Sequence, residues 1–319
     1  MVMPFPLEGI VDQYTYCFPE PEAIKRFLVE ATQNWDIDPK FLLLLGDASF
    51  DPRDNLGLVE TNILPTYFVH TQYGGQTASD MPFGDLDDDG SPDIALGRIP
   101  ASSAEDVSIF VRKTLAYENN RAGQAGEFRL LAVADGQDAG FQYDAQRFAD
   151  SFSLDTEKLV FAPEAGTSDV NEAIQEYFSD GYSVVAYFGH GSVVMWGKDQ
   201  LFTVEDAENL TNMQYPVMIN MTCLTGFFIH PKTESLTETL LFNPTGGAVA
   251  ILAPTSLTLP GDQSFLSSPL GEAFAAGDLG RLGDIFLFSQ SQMNTEVRGV
   301  QDVMVTFLRF GDPGLVIFP

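Results

Sequence analysis

The sequence predicts an α/β protein whose mostly parallel sheet is flanked by helices. Three observations carry this: short apolar runs that stop at Gly, Asp or Pro, apolar residues at helical spacing between those runs, and alternation of the two patterns along the whole chain. The runs lie at 41–45, 93–96, 130–134, 159–161, 184–188, 217–221 and 248–252. Their apolar character is nearly continuous, which fits strands covered on both faces.

Between the strands, Ile24, Phe27, Leu28, Ala31 and Trp35 fall on one helical face, as do Val107, Phe110, Val111 and Leu115. Ser102 and Glu105 have the spacing of a capping box at the start of the second helix. A third helix carries Val170, Ile174, Tyr177 and Phe178 and ends at Gly181. The polar, Gly-containing stretch 119–126 is the best internal boundary, dividing the chain into 1–122 and 123–319. No internal repeat or low-complexity tract interrupts the pattern.

Length and composition bound the function. A chain of 319 residues, 45% hydrophobic and 12% aromatic, has enough apolar material for a large core. Sixteen Lys and Arg against 45 Asp and Glu give a net charge of −29, which repels phosphate backbones and excludes nucleic acid as a partner. The acidity has two readings, a solubility device or a supply of carboxylates for a hard cation. No apolar run reaches the ~18 residues of a membrane span, so membrane insertion is not expected. Residues 1–6 lack the basic and apolar regions of a signal peptide. Met1 opens almost directly onto domain sequence, and the chain is expected to be part of a longer precursor. Cys17 and Cys223 could form one disulfide at most, and Cys17 lies ahead of the first helix, far from the strand that carries Cys223.

In a parallel α/β sheet, ligands gather at the carboxyl ends of the strands. Two strands end there in reactive residues. The run 184–188 leads into Gly189-His190-Gly191, and the run 217–221 leads into Thr222-Cys223. Glycines on both sides let the backbone turn sharply and let another segment approach, so His190 is presented at a strand tip. A thiol beside an imidazole can act as a nucleophile, with the imidazole later protonating a leaving amine. The main-chain N–H groups of Gly191 and Cys223 would then face a developing oxyanion. A lone Cys or His at a strand end is often a core residue, and that reading stays open for each alone. His70 and His230 lack the strand-tip setting.

Asp135 follows the run 130–134 and could orient His190; it could equally be a simple strand terminator. The segment 85–93 holds Asp85, Asp87, Asp89 and Asp93, with Gly90 in the turn. Carboxylates at alternate positions before a Gly resemble the first half of a calcium loop, but Leu96 stands where an EF-hand needs Glu. A calcium site and a solvated acidic turn are both open. No organic cofactor is implied.

Taken in order, these residues resemble the gingipain-like cysteine peptidases, peptidase family C25, of the caspase clan. The resemblance runs through Gly46-Asp47, Ser79-Asp80, the acidic turn into Ile94-Ala95-Leu96-Gly97-Arg98, Tyr117-Glu118-Asn119, Gly189-His190-Gly191-Ser192, Trp196-Gly197, Cys223, Gly246-Gly247-Ala248 and Phe310-Gly311-Asp312-Pro313. It implies a caspase-like (caspase-hemoglobinase) fold of two subdomains, 1–122 and 123–319, the second carrying His190 and Cys223. It implies a cysteine endopeptidase acting on protein or peptide substrates, with Cys223, His190 and Asp135 as catalytic residues. Bound calcium and an extracellular or cell-surface location belong to the same expectation. A sorting transpeptidase and a catalytically silent binding module are the alternatives. By alignment with the family's specificity pocket, Phe141, Phe265 and Trp196 are the substrate-binding candidates. An aromatic residue where arginine-specific members carry Asp implies a P1 preference that is not strictly Arg.

Overall fold

All seven apolar runs form strands, and an eighth strand near the carboxyl end joins them. The computed structural model describes residues 2–57, 62–123, 128–152, 156–164 and 169–317. In spatial order the sheet runs Phe41–Leu45, Ala95–Ile99, Phe307–Phe310, Ala250–Pro254, Val217–Met221, Val184–Phe188, Arg129–Ala134 and Glu157–Phe161. Every neighbouring pair is parallel except Ala250–Pro254 with Phe307–Phe310. The predicted strand 93–96 is shifted to Ala95–Ile99, because the Asp93 carboxylate accepts from the Leu86 N–H and holds residue 93 in the preceding turn. The run 248–252 moves similarly to Ala250–Pro254.

The central strands are covered on both sides, as their unbroken apolar sequence demands. On one face Ala132, Ala134, Ala186, Phe188, Ile219 and Met221 pack beneath the helices Ala139–Ser151, Pro260–Ala276, Leu282–Ser291 and Arg298–Thr306. On the other, Leu131, Val133, Val185, Tyr187 and Met218 meet Val170–Ser179, Val204–Glu208 and Leu236–Phe242. Successive residues of one strand thus enter opposite cores. Each fully buried large aliphatic or aromatic side chain stabilises the fold by about 1.5–3 kcal/mol.

The expected helices are Pro21–Asn34, Ala104–Gly123 and Val170–Ser179. The capping box of the second is one residue later than expected. Ser103 Oγ accepts from the Asp106 N–H at 3.2 Å, and the Asp106 carboxylate accepts from the Ser103 N–H at 2.9 Å. Part of the predicted boundary, residues 124–126, lies outside the described residues. The sheet continues across that region, since Phe307–Phe310 pairs on one side with Ala95–Ile99 and on the other with Ala250–Pro254.

A buried ion pair fixes the amino-terminal strands. Arg98 Nε and Nη2 donate to the two Asp80 oxygens at 2.6 and 2.9 Å. Its remaining donors meet the carbonyls of Gly46, Leu64 and Pro65, so the desolvated guanidinium is fully satisfied.

Candidate active site

The strands Val184–Phe188 and Val217–Met221 pair in parallel with Phe188 opposite Met221. His190 and Cys223 each lie two residues beyond that last pair, so both turns leave the sheet at one level and side by side. Their backbones touch. A Cβ built on Gly191 would stand 2.4 Å from Thr222 Oγ1 and 2.9 Å from the Cys223 carbonyl oxygen. Residue 191 is therefore Gly because no side chain fits between the histidine and cysteine turns.

The histidine turn is held from four directions. Asp135 Oδ2 accepts from the His190 N–H at 3.2 Å, and Asp135 Oδ1 accepts from the Gln137 N–H at 3.0 Å. Tyr187 Oη donates to the His190 carbonyl at 2.7 Å, and the Gly197 N–H donates to the same oxygen at 2.7 Å. The edge of Phe141 meets the imidazole with ring centroids 5.2 Å apart and planes at 77°. Asp135 is thus brought to His190 as expected, but its hydrogen bonds reach the main chain and not the ring.

The cysteine turn is fixed by the segment that follows Ala250–Pro254. The Leu224 N–H donates to Ser256 O and the Gly226 N–H to Pro254 O. Leu224 has φ +59°, a left-handed conformation unusual for a branched side chain, immediately after the candidate nucleophile. Buried Gln263 donates through Nε2 to Thr222 O at 2.8 Å and to Thr258 Oγ1 at 2.9 Å. Cys223 Sγ donates to Thr258 O at 3.4 Å, and burial pushes the thiol pKa up. Cys17 and Cys223 are both free thiols. The Cys223 N–H has no protein acceptor among the described hydrogen bonds, which leaves it open to an oxyanion.

The three aromatic candidates for substrate binding separate. Phe265 is 42% exposed on the helix Pro260–Ala276, close along the chain to Thr258. Trp196 is wholly buried, stacked on Tyr187 with centroids 4.4 Å apart and planes at 5°; it underlies the histidine turn and cannot wall a pocket. Phe141, only 6% exposed, lies edge-on against the imidazole.

Oxygens of Asp85, Asp87 and Asp89 lie within 4.8 Å of one another, a donor set that fits a hard cation. Asp85 is buried, and burial raises its carboxyl pKa. Asp93 does not join the three, because its carboxylate closes the turn onto the Leu86 N–H. Lys25, from the helix Pro21–Asn34, pairs with Asp88 at the rim of this turn.

Tyr187, Thr258 and Gln263 were not singled out by sequence. Tyr187 looks like one more residue of an apolar strand, and the other two act through carbonyls whose positions only the folded chain defines.

Comparison with known proteins fits this geometry. Gingipain R2 of Porphyromonas gingivalis is 26% identical over 246 residues, covering 73% of this chain and 31% of that protein. Gingipain R1 of the same organism is 26% identical over 246 residues, covering 73% of this chain and 23% of that protein. The chain therefore spans less than a third of either relative. Among solved structures, the Arg specific cysteine proteinase gingipain R superposes with a TM-score of 0.75 at 20% identity, over 96% of this chain and 70% of that one. The complex of the Porphyromonas gingivalis RgpB pro- and mature domains gives 0.76 at 20% identity, over 97% of this chain and 72% of that one. The fold is accordingly the caspase-like one. A family model for peptidase family C25 matches residues 3–318, and with His190 and Cys223 at adjacent strand tips of that fold, the chain belongs to peptidase family C25.

Proposed function

We propose that this chain is a cysteine endopeptidase with Cys223 as nucleophile and His190 as general acid and base. The observation that supports it most is the parallel pairing of their strands, which brings both turns to one level and into backbone contact. Burial keeps the resting thiol protonated, so attack needs a base, and His190 supplies it. As Sγ bonds to the scissile carbonyl carbon, the thiol proton passes to the imidazole, and the Gly191 and Cys223 N–H groups receive the oxyanion. The C–N bond then breaks, the imidazole gives the proton to the leaving amine, and a thioester on Cys223 remains. Water, deprotonated by the same imidazole, hydrolyses it. Asp135 acts as a positioning residue through the His190 main chain.

The P1 preference of this reading is not strictly Arg, with Phe265, exposed on the helix Pro260–Ala276, as its aromatic candidate. Calcium, held by Asp85, Asp87 and Asp89, would neutralise the acidic turn ahead of Ala95–Ile99 and stiffen it. An extracellular or surface setting, within a longer precursor, follows from the family. No helix among the described residues is long and apolar enough to cross a membrane.

Treating the protein with a thiol-directed acyl probe and reading adducts by mass spectrometry tests the proposal. Labelling and peptide cleavage that vanish together in Cys223→Ala support it. Neither activity in the unaltered chain would leave a silent binding module. Ligated product on addition of an amine nucleophile would make it a transpeptidase, and a peptide library with P1 varied reads the pocket.

A further inference from the structure

Arg309 stands in the antiparallel strand Phe307–Phe310, paired with Leu252 and 4% exposed. Its Nε, Nη1 and Nη2 are all buried and meet no hydrogen-bond acceptor among the described residues. The ring of Phe286 lies against its charge, with the ring centroid 5.4 Å from the guanidinium carbon. Arg98, in the neighbouring strand, has every donor satisfied and Asp80 as counter-ion. Asp284 and Asp312 are near enough to favour the Arg309 charge, yet neither forms an ion pair with it among the described residues. Burial pulls the Arg309 pKa down to about 9, still above neutral pH, so the cation persists.

A buried charge without protein partners is costly, and a small particle such as a water or an ion is its ordinary partner. The strands Ala95–Ile99 and Phe307–Phe310 meet through a single residue pair, Arg98 with Phe310. Where they part, a cavity of about 20 Å³ is lined by Asp80, Gly97, Phe286, Gln290, Phe307 and Arg309. One water-sized occupant needs roughly 10–15 Å³, so the space suits one small particle. Water would satisfy hydrogen bonds but leave the charge; a monovalent anion answers both. The lining carries the guanidinium groups of Arg98 and Arg309 and the carboxylate of Asp80; Asp80 is already the partner of Arg98, so Arg309 is the lining charge without an ion pair among the described residues.

We propose that this cavity is a buried site for one small monovalent anion, with chloride as its natural occupant, held by Arg309. The site lies at the seam between the first two strands of the sheet and the rest, so its role is to seal that seam. It does not depend on the peptidase reading.

The test is a bromide soak of crystals of the unaltered protein, with anomalous diffraction. A bromide peak within hydrogen-bond distance of the Arg309 guanidinium is expected, and water density there with no anomalous peak overturns the proposal. In solution, the thermal midpoint should rise with chloride over sodium gluconate at matched ionic strength, and the difference should be lost in Arg309→Met. A chloride effect that survives in Arg309→Met places the ion elsewhere and counts against the site. If that variant does not fold, the bromide peak alone decides.

Discussion

Asp135 holds His190 by the backbone: its Oδ2 accepts from the His190 N–H, while Oδ1 accepts from the Gln137 N–H. The carboxylate therefore sets where the imidazole sits before it affects the charge the imidazole carries. Asp135→Ala should lower kcat/KM by about 10²-fold, because small displacements of a catalytic group cost that much. Asp135→Asn, which keeps one acceptor oxygen, should lose less. Steady-state kinetics on a peptide substrate compare the two; equal losses would mean that the negative charge, and not the placement of the turn, is what counts.

Burial raises the pKa of the Cys223 thiol, and its Sγ donates to Thr258 O, so the free protein holds a neutral thiol at neutral pH. Alkylation by iodoacetamide should be slow near pH 7 and should climb only above the ordinary thiol range of about 8.5. A rate already at its plateau near pH 7 would show a preformed thiolate and reverse this account.

Gly191→Ala places a methyl group 2.4 Å from Thr222 Oγ1 and 2.9 Å from the Cys223 carbonyl. Overpacking of this kind costs about 1–3 kcal/mol, and here it spreads the two catalytic turns apart. Peptide cleavage should fall by about 10²-fold while the thermal midpoint drops by only a few degrees. Undiminished cleavage would show that the turns need not touch.

Glu238 is buried in the capping box of Leu236–Phe242, where its Oε2 accepts from Ser235 N–H and Oγ. Burial, followed by the charge of Asp47, holds its carboxyl well above the usual range. Unfolded, it releases its proton near the ordinary Glu value of about 4.3. Between that value and the raised one the native state binds more protons, so stability falls as pH rises through the window. The thermal midpoint should be higher at about pH 5 than at about pH 7.5, and Glu238→Gln should shrink the difference. An unchanged pH slope in that variant would place the effect on other carboxylates.

The parallel core was legible because its strands, buried on both faces, leave an unbroken apolar signature. Phe307–Phe310 escaped because Arg309 interrupts the run 307–310, and a buried guanidinium is invisible to a hydropathy pattern. The strand at Ala95–Ile99 was misplaced by two residues because the Asp93 side chain, a turn-closing acceptor, stood inside the apolar window. At the site, His190 and Cys223 could be singled out as a pair from their strand tips, with the core-residue reading left open until the family resemblance was added. The substrate-binding aromatics could not: exposure separates Phe265 from Phe141 and Trp196, and alignment carries no information on which side of the histidine turn a ring lies. Gln263 is a similar case, since a helix residue reaching back to the Thr222 carbonyl depends on how Pro260–Ala276 docks.

The position of Phe307–Phe310 also governs when the molecule becomes whole. This strand, the last of the eight along the chain, sits third in the sheet, between a pair contributed by residues before 100 and five strands that lie between 129 and 254. During synthesis the two blocks can form as the chain emerges, but their strands do not become one sheet until residue 310 has left the ribosome. A nascent chain stalled short of that point exposes two open sheet edges at once, where pairing with a neighbouring chain is the competing outcome.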